Sequence, residues 1–464
     1  KVRRPSRRLR ACPGEPSLSI YILLFLIILI VLVAYVTSHN DIMAPSVLLS
    51  CGYLIACVSC IMNIEKWGVD LHFNTCFILV LGIMFFGVGE LISRAFFHDF
   101  NIHSNEMSQT RRIEVPISFV LIFSAFNLVV MVLYYREIIS IAGGMLATFN
   151  ETMNEYRQAY AYTDVRVSTI LVQLTKISKG SAYAFLYVFM NNVFVEDGLK
   201  KSRRSVENIK YLLPTIIFLL QTFLKGGRLN LIMMLVAALF LGYFQWHRKV
   251  GWNCKFSGKF FKHLIIIFAI FIIVFYYTKE FVGRQNTDTL IDYITTYFGG
   301  SFQLLDQYMN ESFHTNYGLE SFPGILQSLY KLGLYNDYIH KSLEFRFTPT
   351  GIYLGNIYTG IRRFYNDFGY IGVVFMQFLY GFLFGGVYTH IKKFRTMNCK
   401  RVFIVTAYDT MLFAVITQAM EDHFWIDIGL GYILELLIFY ICIKIIFEWK
   451  IDSEFVLKRH TWKN

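Results

Sequence analysis

Charged residues are scarce in this chain. Only 16% of its 464 residues are Asp, Glu, Lys or Arg, whereas 55% are hydrophobic and 17% are aromatic, and the mean hydropathy is +0.46. Soluble globular domains carry about 25% charged residues, so the composition excludes that class. The net charge of +12 does not indicate nucleic acid, because the cations lie in short clusters between apolar runs.

Several chemical signatures are also missing. The eight cysteines are scattered and most lie inside apolar runs, so no disulfide framework is expected. Without a G-x-x-x-x-G-K-[ST] loop the chain carries no ATPase of its own. The absence of D-x-D on a cytoplasmic segment, of H-E-x-x-H and of G-x-S-x-G argues against metal-dependent nucleotide-sugar transfer, zinc proteolysis and serine hydrolysis. We therefore expect neither a metal nor another cofactor.

Long apolar runs are abundant. They predict an all-α, polytopic integral membrane protein with about 11 transmembrane helices, roughly 10–12. The first run follows a basic stretch, as a signal peptide would, but it is about nineteen residues long and no small-residue cleavage site comes after it. We therefore expect a retained helix rather than a signal peptide. The runs cover residues 18–36, 43–64, 75–93, 115–135, 168–195, 209–224, 229–245, 263–278, 370–390, 402–420 and 428–447.

Clusters of Lys and Arg in short loops mark the cytoplasmic side of the membrane. Four such clusters orient the second half of the chain, at residues 200–204, 248–262, 392–401 and 444–463. Three segments then face outward, at residues 225–230, 279–369 and 421–427. In the first half, five runs precede the cluster at residues 200–204, but an even number of crossings is needed if both the basic N-terminus and this cluster lie inside. Either residues 138–149 dip into the membrane, or residues 167–194 form a hairpin, or the N-terminus lies outside.

This topology divides the chain into three parts. Residues 1–278 form an N-terminal transmembrane bundle of about eight spans, residues 279–369 a large periplasmic or extracellular loop, and residues 370–464 the C-terminal transmembrane helices with a cytoplasmic tail. A loop of about ninety residues is too long for a mere connector, so it should carry function. Its periodicity around residues 290–308 and 325–334 predicts short helices on the membrane face.

Arg228 lies in the turn LKGGRLN between two apolar runs, on the side where positive charge is disfavoured. One interpretation is a glycine hairpin whose arginine reaches the lipid headgroups. The other is an anion site, in which the glycines allow close approach and the next helix N-terminus adds its partial positive charge to Arg228 and Lys225. Phosphate is the anion that this second interpretation predicts.

The run RRFYNDFGYIGVVFMQFLYGFLFG leads a dense polar group directly into an apolar helix. Arg362 and Arg363 can bind phosphate oxygens in a bidentate fork, so a diphosphate could be held by this pair together with Arg228. Asp367 could act as a general base or orient a guanidinium, and Tyr365 could stack on a sugar. An ordinary basic and aromatic belt at a helix end is the alternative.

Further candidates lie on the same predicted outer face. Arg284 could assist in diphosphate binding, and Glu320 is a possible base or glycan ligand. Glu421, Asp422 and His423 form a cluster that can supply acid and base chemistry, although surface solvation is the alternative. Three acids fall inside apolar runs, where they serve either ion coupling or hydrogen bonding between helices: Glu90, Asp409 and Glu435.

These outer residues carry a family resemblance. The sequence KGGRLNLI between two apolar runs, the large outer loop and the run NIYTGIRRFYNDFGYIGVVFMQFLYGFLFG resemble the Wzy-type polymerases of O-antigen and capsular repeat units, and the order of apolar runs agrees along nearly the whole chain. Catalytic residues transfer poorly within this family. Four residues carry over, as motif positions only: Arg228, Arg363, Tyr365 and Asp367.

The resemblance implies a GT-C-like glycosyltransferase at the outer face of the bacterial cytoplasmic membrane. It would polymerise polyprenyl-diphosphate-linked oligosaccharides, with one lipid-linked glycan as donor and another as acceptor, without a metal or nucleic acid. Membrane lipids surround such enzymes, which usually work beside a flippase and a chain-length regulator. Two alternatives are an O-antigen ligase that uses the same donor and, from another class, a transporter of lipid-linked oligosaccharides.

Overall fold

The computed structural model is mainly helical, as the apolar runs predict. It describes residues 18–97, 111–162, 165–195, 206–224, 229–252, 254, 273–278, 289–311, 315–451 and 457–459. The helices of the first half are α1 (Leu18–Thr37), α2 (Pro45–Ile61), α3 (Ile64–Trp67), α4 (Phe73–Phe96), α5 (Ile117–Ile141), α6 (Phe149–Tyr162), α7 (Thr169–Phe194), α8 (Leu213–Leu224) and α9 (Leu229–Val250).

The second half contains five helices and two small antiparallel hairpins within the described residues. The helices are α10 (Leu290–Met309), α11 (Pro323–Lys331), α12 (Ile361–Lys392), α13 (Cys399–Thr417) and α14 (Leu430–Glu448). The strands are β1 (Arg346–Phe347) with β2 (Tyr353–Gly355), and β3 (Trp449–Ile451) with β4 (Leu457–Arg459). Short 3₁₀ turns cover Lys210–Leu212 and Trp425–Asp427.

Among the described residues, six helices are long and apolar enough to cross a membrane: α1, α4, α5, α9, α12 and α14. The chain is therefore a multi-pass helical membrane protein. Helices α2, α7, α8 and α13 coincide with further predicted spans and are shorter or more polar. Residues 263–272 of another predicted span lie outside the described residues, so the count of about eleven stays a prediction.

The chain forms two compact units, each assembled from separate segments. The first unit comprises residues 1–101, 288–390 and 411–433, and the second comprises 102–287, 391–410 and 434–464. This division interleaves along the chain, unlike the three consecutive parts predicted from charge. The outer loop residues 315–360 belong to the first unit together with most of α12 and residues 421–423, whereas residues 225, 228 and 284 fall in the range of the second unit.

Within the first unit, α1, α4 and α12 run in the same direction. Ser19 at the start of α1 donates to Leu71 O just before α4, and Arg94 near the end of α4 donates to Thr37 O at the end of α1. Helices α4 and α12 touch at glycines in the same order along both: a Cβ at Gly82 would lie 3.5 Å from Val373 Cγ1, and a Cβ at Gly386 would lie 2.9 Å from Ser93 Oγ. Because charge predicts that α12 begins outside, this direction favours an outer N-terminus among the three alternatives.

Helix α10 differs from the short surface helix expected there. It has 20 residues and packs along α2, where a Cβ at Gly299 would lie 2.5 Å from Cys60 N. Its middle is buried, and the Phe302 ring packs against the Tyr53 ring. Close approach of backbones buries this helix more effectively than its weak amphipathic pattern suggested. Helix α11, with nine residues, is the short element that was predicted.

The acids inside the apolar runs have different surroundings. Glu90 Oε2 accepts from the Ser46 backbone nitrogen at 2.5 Å, so it holds the start of α2 against α4. In the second unit, Glu435 Oε1 lies 2.7 Å from Lys179 Nζ and joins α14 to α7. Asp409 is fully buried, and neither of its oxygens has a hydrogen-bond partner in the described part of the chain. Contacts between helices thus account for two of the three.

Candidate functional site

Gly369 separates the polar start of α12 from its apolar part. Its backbone angles, φ 67° and ψ −157°, interrupt the helix between the segment 361–368 and the segment that follows. Glycine adopts positive φ at little cost, whereas a side chain here would be strained. The D-F-G-Y run therefore changes the direction of the chain where the polar segment meets the membrane helix.

Gly360 fixes the other end of the polar segment. Its backbone nitrogen donates to Gln418 O at 2.8 Å, and a Cβ at this position would lie 3.1 Å from Asp422 Cβ. The turn before α12 is thereby held against the connection between α13 and α14. This contact brings residues 362–367 and 421–423, which are distant in sequence, next to each other.

Arg362 is 2% exposed and is enclosed by acids and rings. Its Nη1 donates to Glu320 Oε2, and its Nη2 donates to both oxygens of Glu344, at 3.0 and 2.8 Å. The Cζ atom lies 4.1 Å from the centre of the Tyr308 ring and 4.7 Å from that of Tyr358. Stacking between two aromatic faces fixes the plane of a guanidinium and directs its donors.

Arg363 is equally buried and binds mainly backbone. Its Nη1 donates to Glu320 O at 3.1 Å, and its Nη2 donates to Lys341 O at 2.7 Å and to Glu421 Oε1 at 3.3 Å. These bonds connect α12 to both sides of α11. Arg363 therefore organises the outer loop, and only its contact with Glu421 involves a half-exposed side chain.

Arg346 is a site residue that sequence reasoning missed. It follows Glu344 at the start of the hairpin and donates to Glu311 at 2.6 and 2.9 Å and to Glu344 Oε1 at 3.0 Å. Glu344 thus lies between Arg346 and Arg362. We call the group Glu311, Glu320, Glu344, Arg346, Arg362, Arg363 and Glu421 the arginine–carboxylate cluster. The signal that could have revealed its new members is the pattern E-F-R at residues 344–346 in a predicted outer loop.

The arginine–carboxylate cluster combines three arginines with four glutamates, so its formal charge is not positive. Burial raises the pKa of Glu320, and this outweighs the nearby guanidiniums of Arg362 and Arg363. Burial also acts on Glu344, but the Arg362 guanidinium and the contacts of Arg346 lower its pKa overall. Glu344 is therefore the firmly ionised partner of the two. The diphosphate clamp predicted from Arg362 and Arg363 is already filled by the protein's own acids.

Asp367 has a different role from the base proposed for it. It is fully buried, and its two oxygens accept from the backbone nitrogens of Glu320 at 3.3 Å and Ser321 at 2.6 Å. No ion pair joins it to a guanidinium in the described part of the chain. Asp367 orients the loop that presents Glu320 instead of orienting an arginine directly.

The acidic cluster before α14 divides into buried and accessible members. Asp422 is fully buried, its Oδ1 accepts from the backbone nitrogens of Phe424 and Trp425 at 3.1 Å, and burial raises its pKa to about 7 despite Arg363. Glu421 and His423 are half-buried, and His423 packs on the Phe413 ring. Asp422 is therefore not a solvated surface residue, which was the alternative interpretation of this cluster.

Other predicted residues are spread more widely. Tyr365 is half-buried, with its ring edge-on to Tyr370 at 5.3 Å. Tyr317 and Tyr330 in the outer loop are exposed, whereas Tyr308 stacks on Arg362. Three cationic candidates lie outside the described residues: Lys225, Arg228 and Arg284. Among the described side chains, no group of three or more His, Cys, Asp and Glu is arranged to hold a metal ion.

The fold and this site define a class, a multi-pass helical membrane protein with a buried arginine–carboxylate cluster at the start of a spanning helix. Comparison with protein-family models, curated proteins and solved structures finds no match to the chain. Its resemblance to the Wzy-type polymerases therefore rests on the motifs alone.

Proposed function

We propose that the chain is a membrane glycosyltransferase that polymerises polyprenyl-diphosphate-linked oligosaccharides into O-antigen, capsular or exopolysaccharide. One observation carries the proposal: Arg362 and Arg363 are buried together at the entrance of a spanning helix, where carboxylates of the outer loop hold Arg362, and backbone carbonyls of that loop together with Glu421 hold Arg363. Charge patterning supports an outer location for this entrance in the bacterial cytoplasmic membrane.

Glycosyl transfer from a lipid diphosphate suits such a site. The diphosphate is already a good leaving group, so the enzyme chiefly stabilises negative charge on the bridging oxygen and aligns the two glycans. Fixed guanidiniums supply that stabilisation through bidentate hydrogen bonds. Arg362, whose plane is set by Tyr308 and Tyr358, is the residue we assign to the departing diphosphate.

The acceptor hydroxyl must lose a proton as its oxygen bonds to the anomeric carbon. Glu421 is our choice of base, because it is half-exposed and its contact with Arg363 is the longest of that arginine's three. The proton moves to the Glu421 carboxylate while the electron pair of the broken bond leaves with the diphosphate. Asp367 and Asp422, both buried and hydrogen-bonded to backbone, position the loop and the turn.

Reconstitution tests the reaction. Purified protein in proteoliposomes should convert a lipid-linked repeat unit into longer lipid-linked glycans, measured by gel ladder or mass spectrometry. Arg362→Gln should abolish elongation, whereas Lys66→Ala, which removes an exposed ion pair of the same unit, should leave it intact. The proposal is overturned if the wild-type protein does not elongate the lipid-linked repeat unit from which its own cells build their polysaccharide.

Gene deletion distinguishes the alternatives. Loss of polymer with survival of single-repeat glycans supports a polymerase. Loss of all attached glycan indicates the ligase or the transporter, which share the lipid-linked donor. Accumulation of lipid-linked repeat units on the cytoplasmic side identifies the transporter.

A further inference from the structure

We infer that the diphosphate-binding position lies between Arg346 and Arg362, and that Glu344 occupies it until the substrate arrives. This inference rests on the proposed function and adds Arg346 as a ligand of the anion. It identifies the ligand class as a phosphate or diphosphate group, whichever glycan is attached.

The geometry of Glu344 is that of a bound anion. Its two oxygens accept from Arg362 Nη2 at 3.0 and 2.8 Å, and Oε1 also accepts from Arg346 Nη2 at 3.0 Å and Nε at 3.3 Å. One carboxylate therefore joins two guanidiniums of different elements. Phosphate oxygens fit the same forks with comparable donor distances and more acceptor positions.

Access distinguishes Glu344 from the other acid on Arg362. The Glu344 side chain is 37% exposed, whereas that of Glu320 is 22% exposed and Arg362 itself is 2% exposed. An anion from outside thus reaches the guanidinium from the Glu344 side. The ring centres of Tyr308 and Tyr358 lie 4.1 and 4.7 Å from the guanidinium carbon, and the less exposed Glu320 holds Nη1, so the more exposed of the two acids is the one on Nη2.

Arg346 makes the exchange feasible. It binds Glu311 through two hydrogen bonds at 2.6 and 2.9 Å, so it stays paired and anchored when Glu344 turns away. An ionised Glu344 released from Arg362 turns toward solvent, which lowers the cost of leaving a charge without a partner. When the substrate binds, one anion therefore replaces another, and the guanidiniums of Arg346 and Arg362 keep an anionic partner throughout.

Titration with inorganic diphosphate tests the inference on the full-length protein in nanodiscs. Glu344→Gln removes the competing charge and should lower the Kd about tenfold, because a hydrogen bond to a charged group corresponds to about one power of ten or more. Arg346→Gln should raise the Kd by a similar factor. Asp292→Asn, which removes the same charge from an exposed pair with Lys66, is the matched control and should change the Kd less than about twofold.

The outcomes separate this inference from the proposed function. An unchanged or raised Kd in Glu344→Gln, or an unchanged Kd in a folded Arg346→Gln, overturns the binding position even if the enzyme polymerises glycans. Expected shifts in Kd without any polymerisation by the wild type leave the anion position standing and overturn the polymerase. Thermal unfolding of each variant establishes that it is folded, and Glu344→Gln decides alone if Arg346→Gln does not fold.

Discussion

Two paired cations, Lys179 and Arg362, differ in how much surrounds them. Among the described residues, Lys179 in the second unit pairs with one carboxylate, Glu435, at 2.7 Å, and its Nζ lies 6.0 Å from the centre of the Phe439 ring. The pair joins two helices. Arg362 in the first unit has two carboxylates and two aromatic faces, although one acid would neutralise it. A pair that matches charge one to one suffices for packing. The surroundings of Arg362 do more than neutralise it, because they also fix the orientation of its guanidinium beside a half-exposed acid. Such an arrangement is typical of a ligand-binding position.

The largest effect expected from this comparison is on activity at Arg362. Arg362→Gln keeps a polar side chain but removes the charge that we propose stabilises the diphosphate, so polymerisation should fall by about 10²-fold or more. Lys179→Met with Glu435→Met removes the other pair and should leave the rate per folded molecule within about threefold. Initial rates in proteoliposomes, corrected for folded protein, measure both. Comparable losses in the two variants would erase the distinction between the cations.

Breaking only one half of the structural pair should affect stability. Lys179→Ala leaves Glu435 without its cation among helices, which costs about 3–5 kcal/mol of unfolding free energy. The double variant Lys179→Met, Glu435→Met removes both charges and should recover most of that loss. Denaturant unfolding in detergent measures each. If the double variant is as unstable as Lys179→Ala, the loss of unfolding free energy comes from losing the ion pair itself and not from leaving Glu435 without its cation.

The buried Asp422 predicts a pH dependence of stability. Burial raises its pKa to about 7, from 3.8 in the unfolded chain. Between these values the folded state holds a proton that the unfolded state has lost, so stability falls as pH rises, by up to about 1.4 kcal/mol per pH unit. Below pH 3.8 and above about 7 this contribution is constant.

Asp422→Asn provides the comparison for that pH profile. An amide does not titrate, so the fall in unfolding free energy between pH 4.5 and about 7 should be shallower in the variant. Glu421→Gln, at the half-exposed neighbour, is the control for the turn. Parallel profiles in the wild type and Asp422→Asn would refute a raised pKa at this position.

Gly369 connects the arginine segment to the apolar part of α12. Alanine is strained at φ 67°, so Gly369→Ala should cost about 1–2 kcal/mol and misdirect the segment 361–368. We expect a slower reaction with unchanged membrane insertion. Gly87→Ala on α4, where a Cβ would meet nothing within 4 Å, is the matched glycine control. Equal rates in both variants would show that the break has no part in the site.

The sequence predicted a membrane protein correctly because the length of an apolar run can be read directly from the chain, without knowledge of tertiary contacts. It also placed Arg362 and Arg363 at the start of an apolar helix, where the structure has them, since charge beside an apolar run is visible along the chain. It missed Arg346 and assigned Asp367 to the wrong surroundings. Both depend on contacts between segments: Arg346 meets Arg362 only through Glu344, and the oxygens of Asp367 are taken by backbone nitrogens 46 and 47 positions away.

The helix α10 shows the same limit in the fold. Its periodicity indicates a helix, but burial against α2 depends on a glycine that lets two backbones approach. The interleaving of the two units is likewise a property of packing and has no local pattern. Residues that lie on one element could thus be predicted together, whereas residues joined across the outer loop could not.

The smallest effect is expected where an ion pair is partly exposed to solvent. Lys66 and Asp292 lie 2.6 Å apart, and their side chains are 45% and 31% exposed. Water screens such a pair, so Lys66→Ala should change the unfolding free energy by less than about 1 kcal/mol and leave polymerisation unaffected. A double-mutant cycle with Asp292→Asn, measured by thermal unfolding in low and high salt, isolates the pair. A coupling energy as large as that of Lys179 with Glu435 would mean that burial does not set the strength of these ion pairs, and the contrast between structural and functional cations would then rest on the rings around Arg362 alone.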